Sequence, residues 1–73
     1  MPEPKPLRNF MGREIARAIT DAVEALPTDA EIVQFKAGEN MLISCAYIVG
    51  DYDGGYISEY TWDGKQWEHI GYL

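Results

Sequence analysis

Cysteine, histidine and positive charge are scarce in this chain of 73 residues: one cysteine, one histidine, and six lysines and arginines against twelve aspartates and glutamates. A single thiol excludes the intrachain disulfides that staple small secreted domains, and it favours a reducing compartment. One histidine and one cysteine cannot make a zinc site, which leaves an oxygen-ligand calcium loop as the metal chemistry to weigh. No nucleophile elbow, phosphate-cradling glycine loop or triad set occurs, so neither an enzyme nor a cofactor is expected. The opening MPEPKPLRNF has no apolar signal core, and no run approaches the about 20 apolar residues of a membrane span. A soluble, cytoplasmic protein without a membrane partner is the expectation.

A single domain spanning residues 1–73 is expected, with residues 1–6 as an extended proline-rich arm. A chain of this length buries only about 60% of its unfolded surface, so well-idealised packing or self-association has to supplement the core. Cys45 lies inside the apolar run MLISCAYIV and reads as a small buried hydrophobe, with a reactive thiol as the alternative.

The charge is unevenly placed. Residues 1–17 hold Lys5, Arg8, Arg13 and Arg17 against Glu3 and Glu14, while the remainder holds Lys36 and Lys65 against ten acids. Such a body repels phosphate backbones, which argues against direct nucleic-acid binding and for a basic protein partner. Acidity also serves solubility alone, and composition does not separate the two readings.

Apolar residues at helical spacing (Leu7, Met11, Ile15, Ala18, Ile19, Ala22, Val23, Leu26) predict an amphipathic helix across residues 7–26, ended by Pro27. The alternating EIVQFKA (31–37), the doubly apolar MLISCAYIV (41–49), YISEYTW (56–62) and KQWEHIGYL (65–73) predict strands. GEN, DYDGG and DG mark the turns between them. The expected fold is α+β: one N-terminal helix on one face of a four-stranded antiparallel meander, α-β-β-β-β.

A two-residue turn at Asp63 and Gly64 would pair Trp62 with Lys65 and Tyr60 with Trp67. Tyr56, Ser58, Tyr60, Trp62, Trp67 and His69 then share the helix-covered face, where His69 is expected to be partly buried rather than a catalytic base. Ile57, Glu59, Thr61, Gln66, Glu68, Ile70 and Tyr72 share the open face. That face would expose an apolar patch of Ile57, Ile70 and Tyr72 rimmed by Glu59 and Glu68, fit for a homodimer or another partner. This register sets Glu59 directly opposite Glu68, which is unfavourable; the register differs, a cation lies between them, or they form a carboxylate pair.

Two further partner-binding candidates stand out. The loop tip presents Asp51, Tyr52 and Asp53, either as ordinary turn residues or as a patch for an Arg- or Lys-rich surface. As a calcium loop counted from Asp51 it fails, because Gly55, Tyr56 and Trp62 stand where an acid, a glycine and an acid are needed. Phe10 projects away from the apolar helical stripe among Arg13 and Arg17, either as an interface anchor or covered by the proline-rich arm.

The expected function is a non-enzymatic binding protein, acting as an inhibitor that presents acidic and aromatic surface to a basic protein such as a nucleic-acid-binding complex. The alternative is a homodimeric assembly module joined through the open sheet face. In size and charge the chain is similar to the compact acidic inhibitors that phages make, anti-CRISPR proteins among them, a likeness of class and not of motif.

Overall fold

The computed structural model describes residues 5–38, 42–52 and 54–73. A 3-10 turn at Leu7–Asn9 leads into helix α1 (Gly12–Glu24), followed by strands β1 (Ala30–Ala37), β2 (Ile43–Val49), β3 (Ser58–Trp62) and β4 (Trp67–Tyr72). The strands make one antiparallel sheet in the order β1-β2-β3-β4, so the fold is the α+β meander read from the sequence. Most of the expected arm and the tip of the GEN turn lie outside the described residues.

The helix begins later than its apolar pattern implies. Phe10 and Met11 are extended, with φ/ψ of −114°/149° and −74°/164°, and they separate the 3-10 turn from α1. In one continuous helix Leu7 and Met11 would share a face. The extended pair instead lets Leu7 and Phe10 both reach the core and leaves Met11 73% exposed. Phe10 is therefore half-buried against the core, a correction to the outward orientation expected of it.

At its other end α1 is tied to the sheet. The Ala25 N–H donates to Asp21 O and the Leu26 N–H to Val23 O, both at 3.1 Å. These bonds skip the Ala22 carbonyl, one of the last-turn acceptors that a helix cannot satisfy internally. The Trp67 indole N–H takes it at 2.9 Å. Ala22 is 0% exposed, and with Leu7, Ile43 and Trp62 it forms the core, flanked by Ile15, Ala18, Ile19, Phe35 and Trp67.

The run MLISCAYIV forms the interior strand β2, as its two-sided apolarity implies, and Cys45 within it is 1% exposed. Cross-strand pairing sets Ile43, Cys45 and Tyr47 on the helix side with Phe35, Tyr60 and Trp62. Burial pushes the Cys45 thiol above its ordinary pKa, so it is a poor nucleophile at neutral pH.

Three features correct the expected register. First, β3 and β4 are joined through Asp63–Gln66 and not through a two-residue turn, so Trp62 pairs with Trp67, Tyr60 with His69 and Thr61 with Glu68. Asp63 causes this: its carboxylate accepts the N–H groups of Lys65 (2.7 Å) and Gln66 (2.8 Å), while its own N–H donates to Gln66 O (3.1 Å). Gly64, at φ 103°, supplies the left-handed step. The loop thereby sets the Trp62 and Trp67 rings 5.3 Å apart.

Second, the β3–β4 pairing slips between Tyr60 and Glu59, which faces Gly71; Ile70 is the extra residue. This bulge turns Tyr72 opposite Ser58, onto the helix side and off the open face where it was expected. Third, β1 carries a matching bulge at Val33, which puts Ile32 and Phe35 on the same side. Both bulges lie in edge strands, where an extra residue blunts an otherwise ready template for aggregation. Glu59 and Glu68 are consequently not opposite one another; Gln66 Nε2 donates to Glu68 Oε1 at 3.0 Å. The open face carries Gln34, Lys36, Ser44, Glu59, Thr61 and Glu68 together with the apolar Ala46, Ile48 and Ile57, while Tyr72 has left it.

The two backbone donors, Gln66 first and Lys65 second, hold the Asp63 carboxyl below the usual carboxylate range. Its stabilisation is therefore complete above the unfolded aspartate pKa of about 3.9 and fades as the pH falls through the lower folded value. In urea unfolding, Asp63→Ala should lower the midpoint at pH 7. The gap from the unsubstituted protein should narrow on acidification below about pH 4; a gap independent of pH would reject this role.

Candidate functional site

Concavities open along the first turns of α1 and beyond its C-terminus. The second, of ≈ 430 Å³, is bordered by Pro27, Tyr47, Asp51, Tyr52, Tyr56 and Tyr60. A chain of ring contacts extends from it across the sheet. Tyr47 stacks on Tyr60 at 5.1 Å, Tyr60 meets His69 edge-on at 5.6 Å, His69 meets Tyr72 at 5.1 Å, and Tyr72 meets Tyr56 at 5.7 Å. The row lies on the helix side of the sheet, beyond the part that α1 covers. Its outer members are open to solvent: Tyr56 is 86% and Tyr72 61% exposed.

Each member has a local cause. Tyr47 and Tyr60 are inward residues of β2 and β3, His69 pairs with Tyr60 across β3 and β4, and the Ile70 bulge delivers Tyr72. Tyr56 precedes β3 on a segment where the Leu73 N–H donates to Ile57 O at 2.9 Å and continues the pairing with β4. The preceding turn uses Gly54 at φ 88°. There the Tyr52 hydroxyl donates to the Gly55 carbonyl, which fixes that ring at the rim.

Of the sequence candidates, Asp51 and Tyr52 border this hollow and Tyr72 joins its ring row, whereas Asp53 lies outside the described residues. Phe10, Arg13 and Arg17 come together at the other concavity. Ile70 stands out from the bulge, 53% exposed, and Glu59 and Glu68 belong to the open sheet face. Tyr56, Tyr60 and His69 lie on the face that the sequence assigns wholly to the helix, and Tyr47 is a residue of the interior strand that no sequence signal marks as a surface ring. Gly71 was the available signal: glycine inside a strand pattern often marks a bulge.

Chemically the row is a recognition surface. Tyrosine offers rigid, amphipathic contact area with two torsions to immobilise, together with a hydroxyl. Ring faces attract guanidinium and ammonium groups, and Asp51 at the rim adds a formal charge for them. Among the described residues no three of His, Cys, Asp and Glu converge to hold a metal ion, and no helix is long and apolar enough to cross a membrane. The chain matches no protein-family profile, no curated protein and no solved structure.

Burial raises the Tyr47 phenol above its ordinary pKa, and the adjacent Tyr60 adds to the rise. Its contribution to stability is whole below the ordinary phenol pKa near about 10 and is lost as the pH climbs through the raised folded value. The loss of stability between pH 7 and about pH 11, read from urea midpoints, should therefore be smaller in Tyr47→Phe than in the unsubstituted protein. Equal losses would mean that Tyr47 is not sheltered.

Proposed function

We propose that this protein is a non-enzymatic binding protein that docks its tyrosine-rich end on a basic protein and acts as an inhibitor by occluding that surface. The observation that carries the reading is the row Tyr56–Tyr72–His69–Tyr60–Tyr47 beside Asp51, exposed at Tyr56, Tyr72 and His69 and half-buried at Tyr60 and Tyr47. Tyrosine concentrated at one place is the composition of an interface centre, where a few aromatic anchors supply most of the affinity. The net charge of −6 steers the approach of a basic partner. Proteins with extended basic surfaces are mostly handlers of nucleic acid, so covering such a surface with an acidic body competes with the phosphate backbone.

The test is competition. The partner is captured from cells of the source with the immobilised protein, and duplex DNA is then added in increasing amounts. Displacement by DNA, together with a roughly tenfold or greater loss of capture in Tyr56→Ala/Tyr72→Ala, is expected. Capture indifferent to both the DNA and the paired substitution would contradict the proposal.

A further inference from the structure

The other concavity is a groove of ≈ 440 Å³, at the lower end of the about 300–1,000 Å³ typical of small-molecule sites. Its floor is apolar: Ile43 and Trp62 are buried, and Phe10 and Ala18 are half-buried beside them. Its rim carries Lys5, Arg13 and Arg17 with Glu14 and Asp21. Arg17 Nε is committed to Asp21 Oδ1 at 3.0 Å. Glu14 Oε1 turns back to the Met11 N–H at 3.5 Å. Among the described residues Lys5 and Arg13 have no ion pair, and with three cations against two carboxylates the groove's rim is positive on a chain of net −6. Helix stability does not account for Arg13, because a cation in the first turn opposes the macrodipole.

We propose that this groove binds an amphipathic monocarboxylate, with a hydrocarbon tail on Phe10, Ile43 and Trp62 and a carboxylate facing Arg13 and Lys5. Three constraints select this class. The exposed cations require an anion. The floor offers an extended peptide no ladder to join: Ile43 and Trp62 lie in the interior strands β2 and β3, whose backbones are paired on both sides. A tail that needs no hydrogen bonds fits where a peptide leaves its amides unsatisfied. The acidic body penalises polyphosphates more than a single carboxylate. This site is separate from the tyrosine row and does not depend on it.

Decanoate is the probe, titrated below its micellar range and followed by tryptophan fluorescence and by amide shifts of Ile43 and Gly64. Saturable binding is expected, weakened roughly tenfold by Arg13→Glu and largely retained by Arg13→Lys. Arg13 is exposed, so Arg13→Lys should keep the parent melting temperature, and Arg13→Glu, which places an anion in the first turn of α1, should not lower it. Decanol binding as tightly as decanoate, decyltrimethylammonium shifting the same amides, or an unchanged affinity in Arg13→Glu would each overturn the proposal. So would an acidic peptide that shifts these amides when decanoate does not.

Discussion

Trp67 sits across from Trp62 on the β3–β4 pair, and its indole N–H closes on the Ala22 carbonyl in the last turn of α1, which the Ala25 and Leu26 amides leave free. That contact sets the position of the helix. A helix of 13 residues is about 20 Å long, whereas the molecule extends 40 Å along its longest axis. Anchored at Ala22, it covers Ile43, Phe35, Trp62 and Trp67 and does not reach the rings farther along the same face. The tyrosine-bordered hollow opens past the end of the helix, and the other concavity lies along its first turns.

The sheet edges shape what remains uncovered. Each outer strand carries one extra residue, Val33 in β1 and Ile70 in β4. Such bulges are a known defence of exposed edges. The one in β4 has a second consequence, because all side chains beyond it change face. Tyr72 moves to the ring row and the opposite face loses its only candidate aromatic. Edge protection and the tyrosine-rich surface therefore share one structural device.

Much of the architecture is legible in the residues. Ile15, Ala18, Ile19 and Ala22 announce the helix, the two-sided apolarity of residues 43–49 announces an interior strand, and Cys45 within it is buried as its neighbours imply. What was hidden is what depends on single side chains or on one inserted residue. The Asp-Gly pair suggests a tight turn, but the Asp63 carboxylate organises a four-residue loop by binding two backbone amides. Apolar spacing from Leu7 onward suggests a longer helix, but burial of both Leu7 and Phe10 is better served by breaking it. The same break folds Phe10 inward, so Arg13 and Arg17 border a groove rather than an isolated ring. The charge asymmetry was visible from the start; only the fold shows that Lys5 and Arg13 stand over an apolar floor while the tyrosines gather at the far end.

The central claim is that α1 shields one part of the ring-rich face and leaves the rest in water. Photochemically induced dynamic nuclear polarisation, which enhances the NMR signals of solvent-accessible tyrosine, histidine and tryptophan rings, tests it directly. Strong enhancement of Tyr56 and Tyr72 with Trp62 silent is the expected pattern. Enhancement of Trp62 with Tyr56 and Tyr72 silent would contradict it.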